Sequence, residues 1–144
     1  GWLMFLATKA RPSKIVGLVG VAAAPDYIDD FYGNLSNKKK KEINIKGIIR
    51  CSYNDFSYLI KKKYIVEGRK NKILNKNFNW NKPLILIQGM KDNIVKPDTP
   101  NKIVKKIKGN QIQIKLLKNS DHRLSEEFDL KVINDSILSM IKKT

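Results

Sequence analysis

Three short segments of this chain have the pattern of strands in one parallel β-sheet. Residues 14–24 and 84–89 are nearly unbroken apolar runs, rich in Val, Ile and Leu. Strands that are buried on both faces show this pattern, and they occur mainly in parallel sheets. Residues 111–117 alternate apolar and polar side chains at first, which is typical of a strand nearer a sheet edge. We therefore expect an α/β fold.

Helical segments separate these strands along the chain. The apolar spacing predicts three helices, over residues 2–10, 100–108 and 126–142. Asp98 or Thr99 is expected to cap the second helix, and Ser125 the third. Strands that alternate with helices form a parallel sheet with helices on both of its faces. Because three strands make a small sheet and the first helix follows no strand, we expect the later part of a larger domain.

Residues 26–80 differ from the segments on either side. They contain nine of the twelve aromatic residues and no strongly apolar strand. Ser36 is expected to cap a helix over residues 37–46, and the apolar spacing predicts an amphipathic helix over residues 57–69. The segment is therefore predicted to be a helical insertion.

Charge and rare residue types restrict the functional classes. The net charge is +16, with 25 Lys and only four Arg. Because Arg is the usual residue for bidentate phosphate and base contacts, we interpret the excess of Lys as the bias of an AT-rich genome. The single residues Cys51 and His122 exclude an internal disulfide and a Cys/His zinc site. No apolar run approaches the roughly 18–20 residues that a membrane helix needs.

Two loops that follow predicted strands carry residues with catalytic potential. Asp92 lies in the segment GMKDNIV, and His122 lies in the segment NSDHRL. Because the carboxyl ends of parallel strands meet at one edge of a sheet, the two side chains can meet there. A carboxylate that is hydrogen-bonded to imidazole Nδ1 fixes the tautomer and supports the imidazolium that forms in general base catalysis. The spacing thus favours an acid–base pair that lacks a nucleophile.

The spacing alone leaves other interpretations open. His122 is also compatible with a loop histidine that has no role, and Asp92 with an ordinary turn residue. Asp121 is a rival acid, although a residue rarely aims its carboxylate at its neighbour's imidazole. Asp98 is better explained as a helix cap. Cys51 has no base near it in the sequence and is expected to be an inert thiol.

Three segments resemble the α/β-hydrolase family. GMKDNIV resembles its Gly-x-x-Asp-x-x-Val acid turn, and SDHRLS resembles its histidine loop. Residues 1–25 are similar to the stretch that follows the nucleophile elbow Gly-x-Ser-x-Gly-Gly. The resemblance is closest to the serine esterase and thioesterase branch, which includes mitochondrial acyl-glucuronide esterases and palmitoyl-protein thioesterases. It implies that residues 1–25 and 81–144 form the C-terminal part of a hydrolase core, and residues 26–80 its lid.

The resemblance implies an enzyme that hydrolyses carboxylic esters or thioesters. His122 would be the catalytic base and Asp92 its acid partner, while the nucleophilic serine and the oxyanion hole would lie upstream of this chain. Ser13, Ser52 and Ser120 lack the glycines of a nucleophile elbow and are expected to be structural. The chain alone is therefore expected to be inactive.

The resemblance also implies a partner class and a compartment. The expected substrate is a small-molecule acyl ester or thioester, with no metal, no organic cofactor and no specific nucleic acid. The lack of paired cysteines favours a reducing compartment, which is the cytoplasm or, in a eukaryote, the mitochondrial matrix. Two alternatives stay open: a Lys-rich module that binds nucleic acid or anionic lipid, and a non-catalytic fragment. No oligomeric state is predicted.

Overall fold

The computed structural model describes residues 1–53 and 55–142, without the side chain of Tyr53. It divides into two compact units, one formed by Gly1–Pro25 with Ile73–Thr144 and the other by Asp26–Lys72. The helices and strands, in chain order, are α1 (Trp2–Ala10), β1 (Leu18–Val21), α2 (Tyr27–Asn34), α3 (Asn37–Lys46), β2 (Ile48–Tyr53), β3 (Phe56–Lys61), α4 (Lys62–Lys70), β4 (Phe78–Asn79), β5 (Leu84–Gly89), α5 (Thr99–Val104), β6 (Ile107–Lys108), β7 (Ile112–Leu117) and α6 (Glu127–Ile141).

The first unit contains a three-stranded parallel sheet in the order β1-β5-β7. Every residue of β5 is buried, as the apolar run over residues 84–89 predicts. Strand β1 is shorter than the predicted residues 14–24, because Pro12–Lys14 form a 3₁₀ turn and Ala22 leaves the strand at φ 42°. The predicted parallel sheet of these three strands is confirmed.

The core of this unit lies on both faces of β5, because successive side chains of a strand point to opposite faces. On one face, Leu84 and Leu86 pack in a cluster with Phe5 of α1 and Ile103 of α5. On the other face, a second cluster joins Ile85, Ile87, Leu117, Leu124 and Met140, the last from α6. Burial of each such side chain contributes about 1.5–3 kcal/mol. The predicted helices on both faces are therefore present.

The prediction of a helix over residues 100–108 is wrong in its second half. Helix α5 ends at Val104, and the following Ile107–Lys108 pair in parallel with Phe78–Asn79. Strand pairing thus satisfies backbone groups that a longer helix would have satisfied internally. Gly109 then passes close to the residue that follows β4, since a Cβ at Gly109 would lie 2.0 Å from the carbonyl oxygen of Trp80.

The prediction that Ser125 caps the last helix is also wrong. The N-cap of α6 is Glu126, which forms a capping box with Asp129. In this arrangement the Glu126 side chain accepts the backbone N–H of Asp129, and the Asp129 carboxylate accepts the backbone N–H of Glu126 at 3.4 Å. Two acidic side chains at the positive end of a helix are favourable, which explains the shift by one residue.

The prediction of a helical insertion is only partly correct, because the Asp26–Lys72 unit combines helices with a β-hairpin. Strands β2 and β3 pair antiparallel, with Ile49 opposite Ile60 and Cys51 opposite Tyr58. The predicted helix over residues 57–69 is therefore helical only from Lys62. The aromatic and β-branched residues of the hairpin explain the difference, because they favour pleated strands. The elements of the unit bury one Ile each from α2, α3, β2 and α4: Ile28, Ile43, Ile49 and Ile65.

The predicted helix over residues 37–46 is confirmed, with Ser36 as its N-cap. The Ser36 hydroxyl accepts the backbone N–H of Lys39 at 3.3 Å. After Lys72 the chain returns to the first unit, where Ile73 and Trp80 are buried in the cluster that contains Phe5 of α1. Over residues 1–53 and 55–142, the helices are too short or too polar to cross a bilayer.

Candidate active site

Asp92 and His122 meet at the carboxyl ends of β5 and β7. Asp92 lies in the turn after β5, and His122 lies in the loop between β7 and α6. The two strands are parallel neighbours, so their following loops lie at the same edge of the sheet. The distance from His122 Nδ1 to Asp92 Oδ2 is 3.0 Å. The contact predicted from the order of strands and loops is therefore confirmed.

The Asp92 carboxylate is held by four hydrogen bonds in a fully buried position. Oδ1 accepts the backbone N–H groups of Ile94 and Val95, each at 2.8 Å. Oδ2 accepts Gln88 Nε2 at 2.8 Å as well as His122 Nδ1. The Asp92 side chain is 0% exposed. Because donors occupy both oxygens, the carboxylate is fixed in the orientation that faces the imidazole.

Asp92 is poised to stay ionised. Burial works to raise the pKa of its carboxyl, because a low-dielectric surrounding disfavours charge. The hydrogen bonds from Val95, His122, Ile94 and Gln88 act in the opposite direction and prevail, so the pKa lies below its ordinary value. A carboxylate of this kind accepts a proton-bearing Nδ1 throughout the neutral pH range.

The contact with Asp92 also fixes the chemistry of the imidazole. An ionised carboxylate can only accept, so the proton of neutral His122 is on Nδ1 and the lone pair is on Nε2. The His122 side chain is 39% exposed, whereas that of Asp92 is buried. The arrangement therefore combines a fixed acid with a base that can reach a reacting group, as general base catalysis requires.

Gly89 brings the end of β5 unusually close to the histidine loop. A Cβ at Gly89 would lie 2.3 Å from the carbonyl oxygen of Ser120 and 2.5 Å from that of Asp121. Next to this contact, the backbone N–H of Lys91 donates to the carbonyl oxygen of Ser120 at 3.0 Å. The acid turn and the histidine loop are therefore joined by their backbones as well as by the Asp92–His122 pair.

Ser120 anchors the other side of the histidine loop. Its buried hydroxyl donates to Oδ1 of Asp129, the buried carboxylate in the first turn of α6. Asp129 thus connects the capping box of α6 to the residue two positions before His122. This contact accounts for Ser120 as a structural residue, which is the role that the sequence predicts.

The rival residues make contacts elsewhere. Oδ1 of Asp121 accepts the backbone N–H of Arg123 at 2.8 Å, which closes a tight local turn. Asp98 stands at the N-cap of α5 but makes no capping hydrogen bond, contrary to the prediction, and instead pairs with Lys102 at 3.0 Å. Cys51 is a buried free thiol in strand β2 of the Asp26–Lys72 unit. In residues 1–53 and 55–142, no group of His, Cys, Asp and Glu has the arrangement of a metal site.

The sequence of the chain is similar to those of known proteins. No family model matches it. The protein "Palmitoyl-protein thioesterase ABHD10, mitochondrial" of Bos taurus is 36% identical to it, and that of Homo sapiens is 33% identical. Each alignment covers 99% of this chain and 48% of the relative. The chain is homologous to α/β-hydrolases.

Solved structures agree with this homology. Alpha/beta hydrolase domain-containing protein 10 from mouse matches with a TM-score of 0.85 at 31% identity, over 99% of this chain and 58% of that one. A putative hydrolase from Agrobacterium vitis S4 shares the fold, with a TM-score of 0.86 at 24% identity. The predicted α/β-hydrolase fold is confirmed, and the chain spans about half the length of the curated relatives that it matches.

Sequence reasoning missed three features of this candidate site. They are the Gln88 hydrogen bond to Asp92, the close backbone passage at Gly89 and the Ser120–Asp129 contact. The sequence does contain a signal for the first, because Gln88 is the only polar side chain in the apolar run LILIQG. The other two contacts join residues nine or more positions apart, and no local pattern indicates them.

Gly89→Ala is expected to impair both stability and the site. The new Cβ meets backbone atoms, so the histidine loop must shift, at a cost of about 1–3 kcal/mol in the free energy of unfolding. A shift of that loop also displaces His122 from Asp92. The measurement is denaturant unfolding beside Gly33→Ala, whose Cβ would meet no atom within 4 Å and which serves as the matched control. Equal stabilities of the two variants would contradict the close passage at Gly89.

Proposed function

We propose that this chain supplies the acid and the base of a Ser-His-Asp hydrolase that cleaves carboxylic ester or thioester bonds. The observation that carries the proposal is the 3.0 Å hydrogen bond from His122 Nδ1 to the buried Asp92 carboxylate. Homology to a protein named as a thioesterase supports the same reaction class. In this proposal the nucleophilic serine and the oxyanion hole belong to a part of the enzyme that precedes these residues.

The reaction follows from the two nitrogen atoms of His122. Nε2 takes the proton of the serine hydroxyl as the serine oxygen attacks the acyl carbonyl carbon. Asp92 accepts the Nδ1–H bond and stabilises the imidazolium. Nε2 then donates its proton to the leaving alcohol or thiol as the tetrahedral intermediate collapses to the acyl-enzyme. A water molecule, deprotonated by the same nitrogen, attacks the acyl-enzyme, and Nε2 returns that proton to the serine oxygen as the acid is released.

The contacts of the serines considered from the sequence support a nucleophile outside the described residues. Ser13 lies in the 3₁₀ turn after α1, and Ser52 lies within strand β2. The Ser120 hydroxyl is committed to Asp129. Ser13 and Ser52 lie in no strand–turn–helix connection, and Ser120, which follows β7, has a buried hydroxyl rather than one exposed above the sheet.

The substrate class and the lid are further parts of the proposal. The curated relatives are named as palmitoyl-protein thioesterases and as mitochondrial, so we propose an acyl thioester substrate and a mitochondrial location. The insertion that contains the Asp26–Lys72 unit is proposed as the lid. Its exposed apolar side chains, among them Phe56, Tyr58 and Leu59, suit contact with an acyl chain. The chemistry needs neither a metal nor an organic cofactor.

A hydrolysis assay tests the proposed function. The protein that includes this chain together with the residues that precede it is expected to hydrolyse a p-nitrophenyl acyl ester and an acyl-CoA thioester with saturable kinetics. The 144-residue chain alone is expected to give only the background rate, because the serine that His122 activates in this proposal lies outside these residues. Failure of the longer protein on both substrates would contradict the function, and turnover by the 144-residue chain would contradict the position of the serine.

A further inference from the structure

We propose that Gln88 is the residue that positions the Asp92 carboxylate for His122. The proposal deepens the proposed function and rests on it, because it assigns a role to a third side chain of the same acid–base pair. Gln88 does not touch the imidazole, so its effect on the reaction passes through Asp92.

The orientation of the Gln88 amide follows from its surroundings. Its nitrogen Nε2 lies 2.8 Å from Asp92 Oδ2 and 3.3 Å from the carbonyl oxygens of both Gly89 and Val95. All three neighbours are acceptors, so the amide must present its N–H groups to them rather than its oxygen. The side chain is 0% exposed, and water therefore does not compete for these hydrogen bonds.

The oxygen of the Gln88 amide, unlike its nitrogen, has no neighbour that accounts for its position. Gln88 Oε1 is buried without a hydrogen-bond partner among the described residues. A buried acceptor without a partner is unfavourable, and an apolar side chain at this position of β5 would avoid it. Gln88 is thus poorly explained as a contributor to the core, whereas its contact with a buried carboxylate gives it a clear role.

Gln88 completes the hydrogen bonding that fixes the direction of the carboxylate. The backbone N–H groups of Ile94 and Val95 hold Oδ1, which leaves Oδ2 to face Gln88 and His122. Without the amide, His122 would be the only group on Oδ2 among the described residues, and a partly exposed loop histidine would have to orient its own partner. A fixed second donor allows Oδ2 to orient the imidazole instead.

Gln88→Met tests this role in the protein that includes the preceding residues. Met has a similar length and no hydrogen-bond donor. We expect kcat for ester hydrolysis to fall about tenfold, with little change in KM, because a charge-assisted hydrogen bond is lost while the substrate contacts remain. The matched control is Gln113→Met, which changes an exposed Gln on the neighbouring strand β7 and should leave kcat unchanged.

Gln88→Glu adds a readout that a purely structural role would not change. Two carboxyl groups at hydrogen-bond distance share one proton at low pH, because both cannot ionise easily. While that proton is present, the introduced carboxyl can donate to Asp92 Oδ2 as the amide does. We therefore expect the ratio of its kcat to the wild-type kcat to fall as the pH rises from about 6 to about 9. The wild-type amide at position 88 does not ionise, so this pH dependence is specific to Gln88→Glu.

The outcomes separate this proposal from the proposed function. Wild-type kcat in Gln88→Met, or a Gln88→Glu to wild-type ratio that does not depend on pH, would overturn the positioning role. Circular dichroism and thermal unfolding of each variant identify any loss of activity that is due to unfolding, and the Gln88→Glu pH dependence is read only within folded protein. If His122→Ala retains activity, the proposed function itself is wrong, whatever the Gln88 variants do.

Discussion

Replacement of His122 by Ala is expected to lower kcat for ester hydrolysis by about 10⁵-fold or more, with little change in KM. His122 is the one histidine of these 144 residues, and its Nδ1 is held by a buried carboxylate. In the proposed mechanism, loss of the imidazole removes the group that accepts the serine proton and protonates the leaving group. The loss therefore falls on the chemical step rather than on substrate binding.

The assay compares initial rates on a p-nitrophenyl acyl ester for the protein that includes the preceding residues. Arg123→Ala is the matched control, since Arg123 is an exposed neighbour in the same loop. The backbone N–H of Arg123 donates to Asp121 Oδ1, and the substitution keeps this hydrogen bond. A His122→Ala enzyme with most of its activity would exclude His122 as the base.

Asp92→Asn is expected to lower kcat by about 10⁴-fold while the protein stays folded. The amide keeps the size of the side chain, and its oxygen can still accept the backbone N–H groups of Ile94 and Val95. Its NH₂ group would then face His122 Nδ1 and Gln88 Nε2, where the carboxylate accepts. The imidazole must therefore take the other tautomer, with the proton on Nε2, which cannot accept the serine proton.

Asp121→Asn is the matched control for Asp92→Asn, because it makes the same chemical change at the adjacent rival acid. An Asn oxygen at this position can still accept the backbone N–H of Arg123, so the loop is retained. We expect kcat to stay within about twofold of wild type, as for a surface change away from the reacting groups. Similar losses in the two variants would contradict the assignment of Asp92 as the acid.

The parts of the fold and site that the sequence predicts are those with strong local patterns. The run over residues 84–89 gives β5 with its observed ends, because every residue of that strand is buried and the run is bounded by Pro83 and ends at Gly89. Asp92 and His122 follow neighbouring parallel strands, so the topology alone brings their loops together. In each case one local rule and one rule of sheet geometry are sufficient.

The parts that the sequence does not predict depend on long-range pairing. Residues 57–61 have helical spacing in isolation but pair with residues 48–52 as a hairpin. Ile107–Lys108 leave the predicted helix because Phe78–Asn79 offer a strand partner almost thirty residues away in the sequence. The Gln88 hydrogen bond to Asp92 differs from these, because the two residues are only four positions apart and meet through the turn that closes after β5.

The measurement that tests the central claim most directly is covalent labelling with a fluorophosphonate, followed by peptide mapping. The reagent phosphonylates a serine only when a base activates it. For the protein that includes the preceding residues, we predict a label on one serine outside these 144 residues, and loss of that label in His122→Ala. Equal labelling of wild type and His122→Ala would contradict the claim that Asp92 and His122 are the acid and base of a serine hydrolase, and a label on a serine within the 144 residues would contradict the upstream position of the nucleophile.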